Sequence, residues 1–122
     1  ASSSSVYLDD KLNYSASQAI DGNLGTRWNS AANKIAGEWL SIKWSTPIMI
    51  STIKISQETF WTRISSYKLQ YRNKEDWVTL KEGGDLEDVK IFVFPKVQAI
   101  EIRLLINNTT GNTPTIKEFE VY

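Results

Sequence analysis

Asp21-Gly22-Asn23-Leu24-Gly25-Thr26 places oxygen donors at positions 21, 23 and 26 of one glycine-punctuated bend. Hard cations such as calcium take oxygen ligands from a sharply turned backbone. The two glycines permit the bend, because glycine takes positive φ without steric penalty. One carboxylate and two neutral donors hold calcium poorly, so a second acid has to come from elsewhere. Lys117-Glu118-Phe119-Glu120-Val121-Tyr122 offers two, Glu118 and Glu120, on the same face of a terminal strand. Without an ion the bend reads as an ordinary turn closed by an Asx hydrogen bond.

The composition narrows the remaining chemistry. A chain of 122 residues makes a single domain over 1–122. Its 14 basic and 14 acidic residues cancel, which argues against nucleic acid as a partner, since that needs a basic face. There is no cysteine and no histidine. Thiolate metal sites and disulfides are therefore excluded, and so are the commonest general base and the commonest transition-metal ligand. Paired acids such as Glu118 with Glu120, or Asp9 with Asp10, lack the flanking cleft of a glycosidase pair, so a non-enzyme is expected. No apolar run approaches the ~20 residues of a membrane span. Ala1-Ser2-Ser3-Ser4-Ser5 reads as the end of a linker, as in a module cut from a larger protein.

The elements that must carry the bend and the terminal acids are strands. Leu40, Ile42 and Trp44 alternate with polar residues, as do Tyr67, Leu69 and Tyr71, and Ile100, Ile102, Leu104 and Ile106. Ile48 and Ile50 are followed by Ile53 and Ile55 one step out of phase, which predicts a bulge or a strand boundary at Ser51-Thr52. Ile91-Phe92-Val93-Phe94 is expected to stop at Pro95, and Trp77 to Leu80 to form a short strand. Loops are expected over 29–37, 57–63, 81–88 and 107–114, and Ser15 to Ile20 as the one helical turn. Many short strands between turns predict an all-β antiparallel sandwich or barrel.

Read in order, these landmarks resemble the discoidin or coagulation factor V/VIII C-type domains. They are Ala19-Ile20-Asp21-Gly22-Asn23 with Thr26 and Trp28, Gly37-Glu38-Trp39-Leu40, Ile53-Lys54-Ile55, Ile64 to Tyr71, Asp76-Trp77, Ile102-Arg103-Leu104 and Thr115 to Tyr122. Within that family the chain is most similar to the family 32 carbohydrate-binding modules attached to bacterial glycoside hydrolases and polysaccharide lyases. The resemblance implies a β-sandwich jelly roll with a structural calcium. It implies metal ligands Asp21, Asn23, Thr26 and Glu118, with backbone carbonyls of Gln18, Thr26 and Lys117, and Glu120 as the rival acid. It also implies Trp28 and Trp77 as core residues. A secreted, monomeric accessory module is implied, binding a polysaccharide or oligosaccharide beside a covalently linked catalytic domain. The alternative on the same fold is a cell-surface adhesion module that binds phospholipid or protein.

For a saccharide the first candidate is Trp61, in Gln57-Glu58-Thr59-Phe60-Trp61-Thr62-Arg63. An aromatic face stacks on the apolar face of a pyranose while polar side chains read its hydroxyls. Phe60 stands beside it, and either ring can instead fold back as a lid on the core. Glu58 and Arg63 are expected to read hydroxyls as a pair or to form a surface salt bridge, with Gln57 adjacent. Asn29, at a place where relatives carry histidine, and Asn108 and Asn112, where relatives carry an aromatic, supply amides. Trp39 is placed either exposed at a strand start or against a loop.

Overall fold

The computed structural model of the chain describes residues 1–32, 36–59, 62–111 and 113–122. Its strands are β1 (Ser2–Ser3), β2 (Trp28–Asn29), β3 (Glu38–Gln57), β4 (Thr62–Arg72), β5 (Val78–Gly83), β6 (Val89–Gly111) and β7 (Thr115–Val121). All pair antiparallel, in the order β2-β7-β3-β6-β4-β5, with β1 added to β3. The serine-rich start, read as a linker, supplies β1.

β3 and β6 are each long enough to serve both layers of the sandwich. The first part of β3 pairs with residues 101–106 of β6, which in turn pair with β4. The second part pairs with residues 89–93 of β6 on one side and with β7 on the other. Two irregularities separate the parts. Between the Lys43–Glu101 and Ile48–Ala99 pairs, residues 44–47 face a single residue of β6. Between the Ile50–Val97 and Thr52–Val93 pairs, residues 94–96 face Ser51 alone. The second is the bulge expected at Ser51-Thr52.

Pro95 does not end its strand, contrary to expectation. It sits in that bulge, where no ladder hydrogen bond is lost through its missing N–H. Pro47 lies in the other irregularity. β6 also continues through Asn107 to Gly111 by pairing with Thr62, Arg63 and Ile64, so most of the expected 107–114 loop is strand.

Between the layers lie the inward positions of the alternating runs. Leu40, Ile102, Leu104, Ile106, Ile64 and Leu69 meet Ile53, Ile55, Phe92, Ile116 and Phe119, all buried. Trp28 is fully buried, and its Nε1–H donates to Ser5 O at 2.9 Å. Trp77 is not a core residue. Its ring carries the Arg103 guanidinium 4.0 Å from the centroid and that of Arg72 at 5.5 Å. Such contacts stabilise a partly exposed ring by about 1 kcal/mol.

The two tryptophans therefore predict different losses. Trp28→Ala is expected to cost at least ~3 kcal/mol of unfolding free energy, and Trp77→Ala about 1 kcal/mol, measured by urea denaturation. Equal losses would return Trp77 to the core.

Candidate functional site

The bend at Asp21 begins where a 3₁₀ turn, Ala16–Ala19, buries its two alanines against the core. That turn is the expected helical segment, in tighter form. Gly22 has φ +72°, which a side chain rarely adopts. Asp21 Oδ1 accepts from Asn23 N–H at 2.9 Å, and Asn23 Oδ1 accepts from Gly25 N–H at 2.8 Å. These two Asx bonds wind the loop so that its oxygens turn inward. The Thr26 hydroxyl then lies against Asp21 Oδ2, Gln18 O at 3.3 Å and Asn23 O at 3.0 Å. One hydroxyl proton cannot serve three acceptors, so two of these oxygens face it without a proton between them.

Glu118 closes this cluster from β7. Its Oε1 accepts from Gly22 N–H at 2.8 Å, across 96 residues of sequence. Its Oε2 is buried and receives no hydrogen bond. Burial pushes the Glu118 carboxyl above its ordinary range, the Gly22 N–H opposes this, and the Asp21 and Glu120 charges push it further up. The Asp21 carboxyl is held low, chiefly by the Thr26 hydroxyl. Two ionised carboxylates in contact need either a shared proton or a cation between them. The donor set is all oxygen with two acids, which is what calcium prefers.

A groove opens beside this cluster. A 3₁₀ turn (Tyr7–Asp9) and the short helix α1 (Lys11–Tyr14) precede it, neither of them expected. Leu8 and Asp9 both have φ 54°, a conformation costly to residues with a side chain. Asp10 accepts from Asn13 N–H at 3.2 Å and caps α1. This kinked entry sets Tyr7 and Tyr14 edge to face, with centroids 5.4 Å apart at 88°. The Arg27 guanidinium lies 5.5 Å from the Tyr14 centroid. Opposite them Thr113 Oγ1 donates to Asn29 Oδ1 at 3.2 Å, and Thr115 Oγ1 donates to Glu58 O at 3.0 Å. With Thr62 these residues enclose about 260 Å³.

The F5/8 type C domain family matches residues 1–120. The chain belongs to that family. No curated protein matches it. Among solved structures, the domain is similar to a chitosan-binding module 2, in complex with chitotriose, from a Paenibacillus sp. IK-5 chitosanase/glucanase. Identity is 26%, covering 99% of this chain and 93% of that one, with TM-score 0.86. It is similar also to the family 32 module of Clostridium perfringens NanJ in complex with galactose, at 26% identity over 98% and 90%, TM-score 0.84. A Ruminococcus gnavus GH29 fucosidase in complex with fucose matches at 25% identity and TM-score 0.86, over 98% of this chain but 24% of the enzyme.

In this F5/8 type C domain the expected metal ligands largely converge. Gln18 O, Asp21, Thr26 and Glu118 meet at one point. Asn23 joins them through its backbone carbonyl, while its side-chain oxygen is used by Gly25. Lys117 is the neighbour of Glu118 on β7. Glu120, the rival acid, instead accepts from the Tyr122 hydroxyl at 2.7 Å and lies 4.0 Å from Lys54 Nζ.

The expected saccharide residues disperse. Asn29 lines the groove, and the Glu58 carbonyl accepts from the hydroxyl of Thr115, a groove residue. Trp61, Phe60 and Asn112 lie outside the described residues. Arg63 spans Asp85 at 3.2 Å and Asp88 at 3.1 Å, a surface ion-pair cluster. Asn108 is exposed and pairs with Ser66 in the β4–β6 ladder. Trp39 is half-buried where β3 meets Ser4, whose hydroxyl accepts its N–H at 2.9 Å.

Gln57 serves as a structural bracket. It is buried, its Nε2 donates to Glu87 O, and its Oε1 accepts from Ile64 N–H at 3.0 Å. Both polar ends are thus occupied. Tyr7, Tyr14, Arg27, Thr62, Thr113 and Thr115 line the groove without having been singled out. The one sequence signal for them is Asp10-x-x-Asn13 between two tyrosines, a capped turn that holds the rings at a fixed spacing.

Gln57→Ala leaves the buried Ile64 N–H without its partner. The expected loss is ~1–3 kcal/mol of stability, read by chemical denaturation, with saccharide affinity unchanged. Lost affinity at full stability would make Gln57 a binding residue after all.

Proposed function

We propose that this domain is a non-catalytic carbohydrate-binding module whose saccharide site is the Tyr7–Tyr14–Arg27 groove. The observation that carries the reading is the composition of that groove. Two phenol rings form an apolar wall, and a guanidinium, an amide and three threonine hydroxyls face it. Pyranosides need this combination of ring face and planar or hydroxyl donors. The similar modules in complex with chitotriose and galactose support the reading.

Catalysis has no machinery in this account. Asp21 and Glu118 are engaged with each other and with the bend. The groove holds no pair of acids among the described residues. A module of this kind acts by keeping an attached enzyme near its polymer, through effective concentration. On this reading the domain works outside the cell as part of a secreted polysaccharide-degrading protein.

The reading includes one structural calcium at the bend, held by Asp21, Thr26, Glu118 and the carbonyls of Gln18 and Asn23. The buried Glu118 Oε2 and the crowded Thr26 hydroxyl are the groups such an ion would satisfy. Its role is to fix the bend from which Arg27 and Asn29 enter the groove.

Affinity electrophoresis through neutral, acidic and basic polysaccharides tests the function. The domain is expected to be retarded by at least one polymer. Tyr14→Ala is expected to weaken that retardation about tenfold, the size of an aromatic anchor, with the melting transition used to confirm folding. Retardation by no polymer, or equal retardation of Tyr14→Ala, contradicts the reading.

A further inference from the structure

The long strands leave an open edge away from the groove. Over residues 89–93, β6 pairs with β3 on one side. On the other side β4 pairs with β6 only from Glu101 to Gly111. Among the described residues no strand takes the far side of 89–93. Asp88 O accepts from Gln57 N–H at 2.9 Å, so the backbone groups of residues 88, 90 and 92 point at β3. Alternation turns the N–H and C=O of Val89, Ile91 and Val93 outward. The same three residues carry exposed side chains, at 48%, 57% and 67%.

Sheets normally blunt such an edge with charge or proline. The edge of β5, in the other layer, carries Lys81, Glu82 and Gly83. On β6 the nearest guards stand aside. Lys90 shares the face of buried Phe92 and lies 3.4 Å from Glu87, and Pro95 sits in the bulge beyond. The β-branched stripe between them is unguarded.

The segment is complementary to itself. From Glu87 to Lys96 it begins with two acids, runs through the stripe and ends on a lysine. In an antiparallel pair of copies the acidic start of each meets the basic end of the other. Directly opposite side chains share a face, so the two-fold axis passes through a residue and not between two. With the axis at Ile91, Val89 of one copy faces Val93 of the other, and Ile91 faces its own counterpart. Asp88 then lies diagonally across from Lys96 of the second copy. The outward N–H and C=O groups of the stripe all meet partners, and Pro95, which has no N–H to offer, stays outside the pairing. An axis at Phe92 would instead set Pro95 against Val89.

We propose that two copies of this domain join edge to edge along residues 89–93 of β6, as an antiparallel two-fold dimer. The dimer replaces the monomer that the family resemblance implies. A two-fold pair consumes both edges and closes, so it does not grow into fibres. One strand pair buries less than the ~1,600 Å² of a standard interface, which sets the expected dissociation constant on the order of 100 μM.

Sedimentation equilibrium at loadings about tenfold below and above that constant tests the pairing. The mass of the unaltered domain is expected to rise from monomer to mostly dimer. Ile91→Lys sets two ammonium groups opposite each other at the axis, and is expected to stay monomeric with an unchanged melt, since Ile91 is exposed. Val89→Lys is also expected to be monomeric, and Val89→Lys combined with Val93→Glu to regain the dimer. Amide exchange at Val89, Ile91 and Val93 is expected to slow as the unaltered protein is concentrated, while that of β5 does not.

A monomer at every loading overturns the proposal and leaves the edge to a segment of some other protein. A dimer that survives Ile91→Lys, or one whose stripe amides exchange as fast as in the monomer, places the interface elsewhere and overturns it too. Failure of the double variant to regain the dimer overturns the register. The exchange measurement uses the unaltered protein, so it decides the matter even if a variant does not fold. None of these readouts involves a saccharide, so they leave the function of the groove untouched.

Discussion

The contact between the Glu118 carboxylate and the Gly22 amide governs the functional end of this domain. It joins a bend near the start of the chain to the last strand, and three of the residues that line the groove are placed from that junction. From the bend the chain passes through Thr26 and Arg27 into β2. There Trp28 pairs with Ile116 and Asn29 with Thr115, on the strand that carries Glu118. Two groove residues, Asn29 and Thr115, are therefore register partners, and a third, Arg27, precedes the pair. A shift of the bend against β7 would move all three together.

The junction is electrostatically costly as it stands. A buried carboxylate oxygen without a donor is destabilising. A second carboxyl beside it adds repulsion unless a proton or a cation intervenes. The bend nevertheless gathers more acceptors around Thr26 than its hydroxyl can satisfy. A cation is the simplest agent that turns this excess of oxygen into a stabilising feature. Because such an ion binds only the folded chain, its binding free energy adds directly to folding stability. On the proposed reading, the rigidity such an ion would give the bend would pass to the groove through Arg27 and Asn29.

Much of the fold was legible because period-two alternation is a direct signature of half-buried strands. The runs around Leu40, Tyr67 and Ile102 fall where the pattern places them, and the phase slip at Ser51 is a real bulge. Pro95 misled because a missing N–H ends a strand only where a ladder bond is required, and pairing irregularity is not written in one strand's sequence. The meeting of the bend with Glu118 was legible because glycine and Asx residues constrain the backbone locally, and because the family pattern named its distant partner.

The groove was harder to read for physical reasons. Tyr7 and Tyr14 face each other only because Leu8 and Asp9 hold a left-handed backbone, and neither residue type announces it. Gln57 and Arg63 have the composition of ligand-reading residues, yet the same amide and guanidinium serve equally to brace neighbouring loops. Only the positions of Ile64 N–H, Glu87 O, Asp85 and Asp88 separate those uses. The measurement that tests the account most directly is calcium titration into chelator-stripped protein, followed by calorimetry and thermal melting, with Glu118→Gln alongside. The account predicts one calcium per chain in the wild type, a melt raised by the equivalent of about 2.7 kcal/mol at a hundredfold excess over Kd, and loss of both in Glu118→Gln. No heat of binding and an unchanged wild-type melt would contradict it.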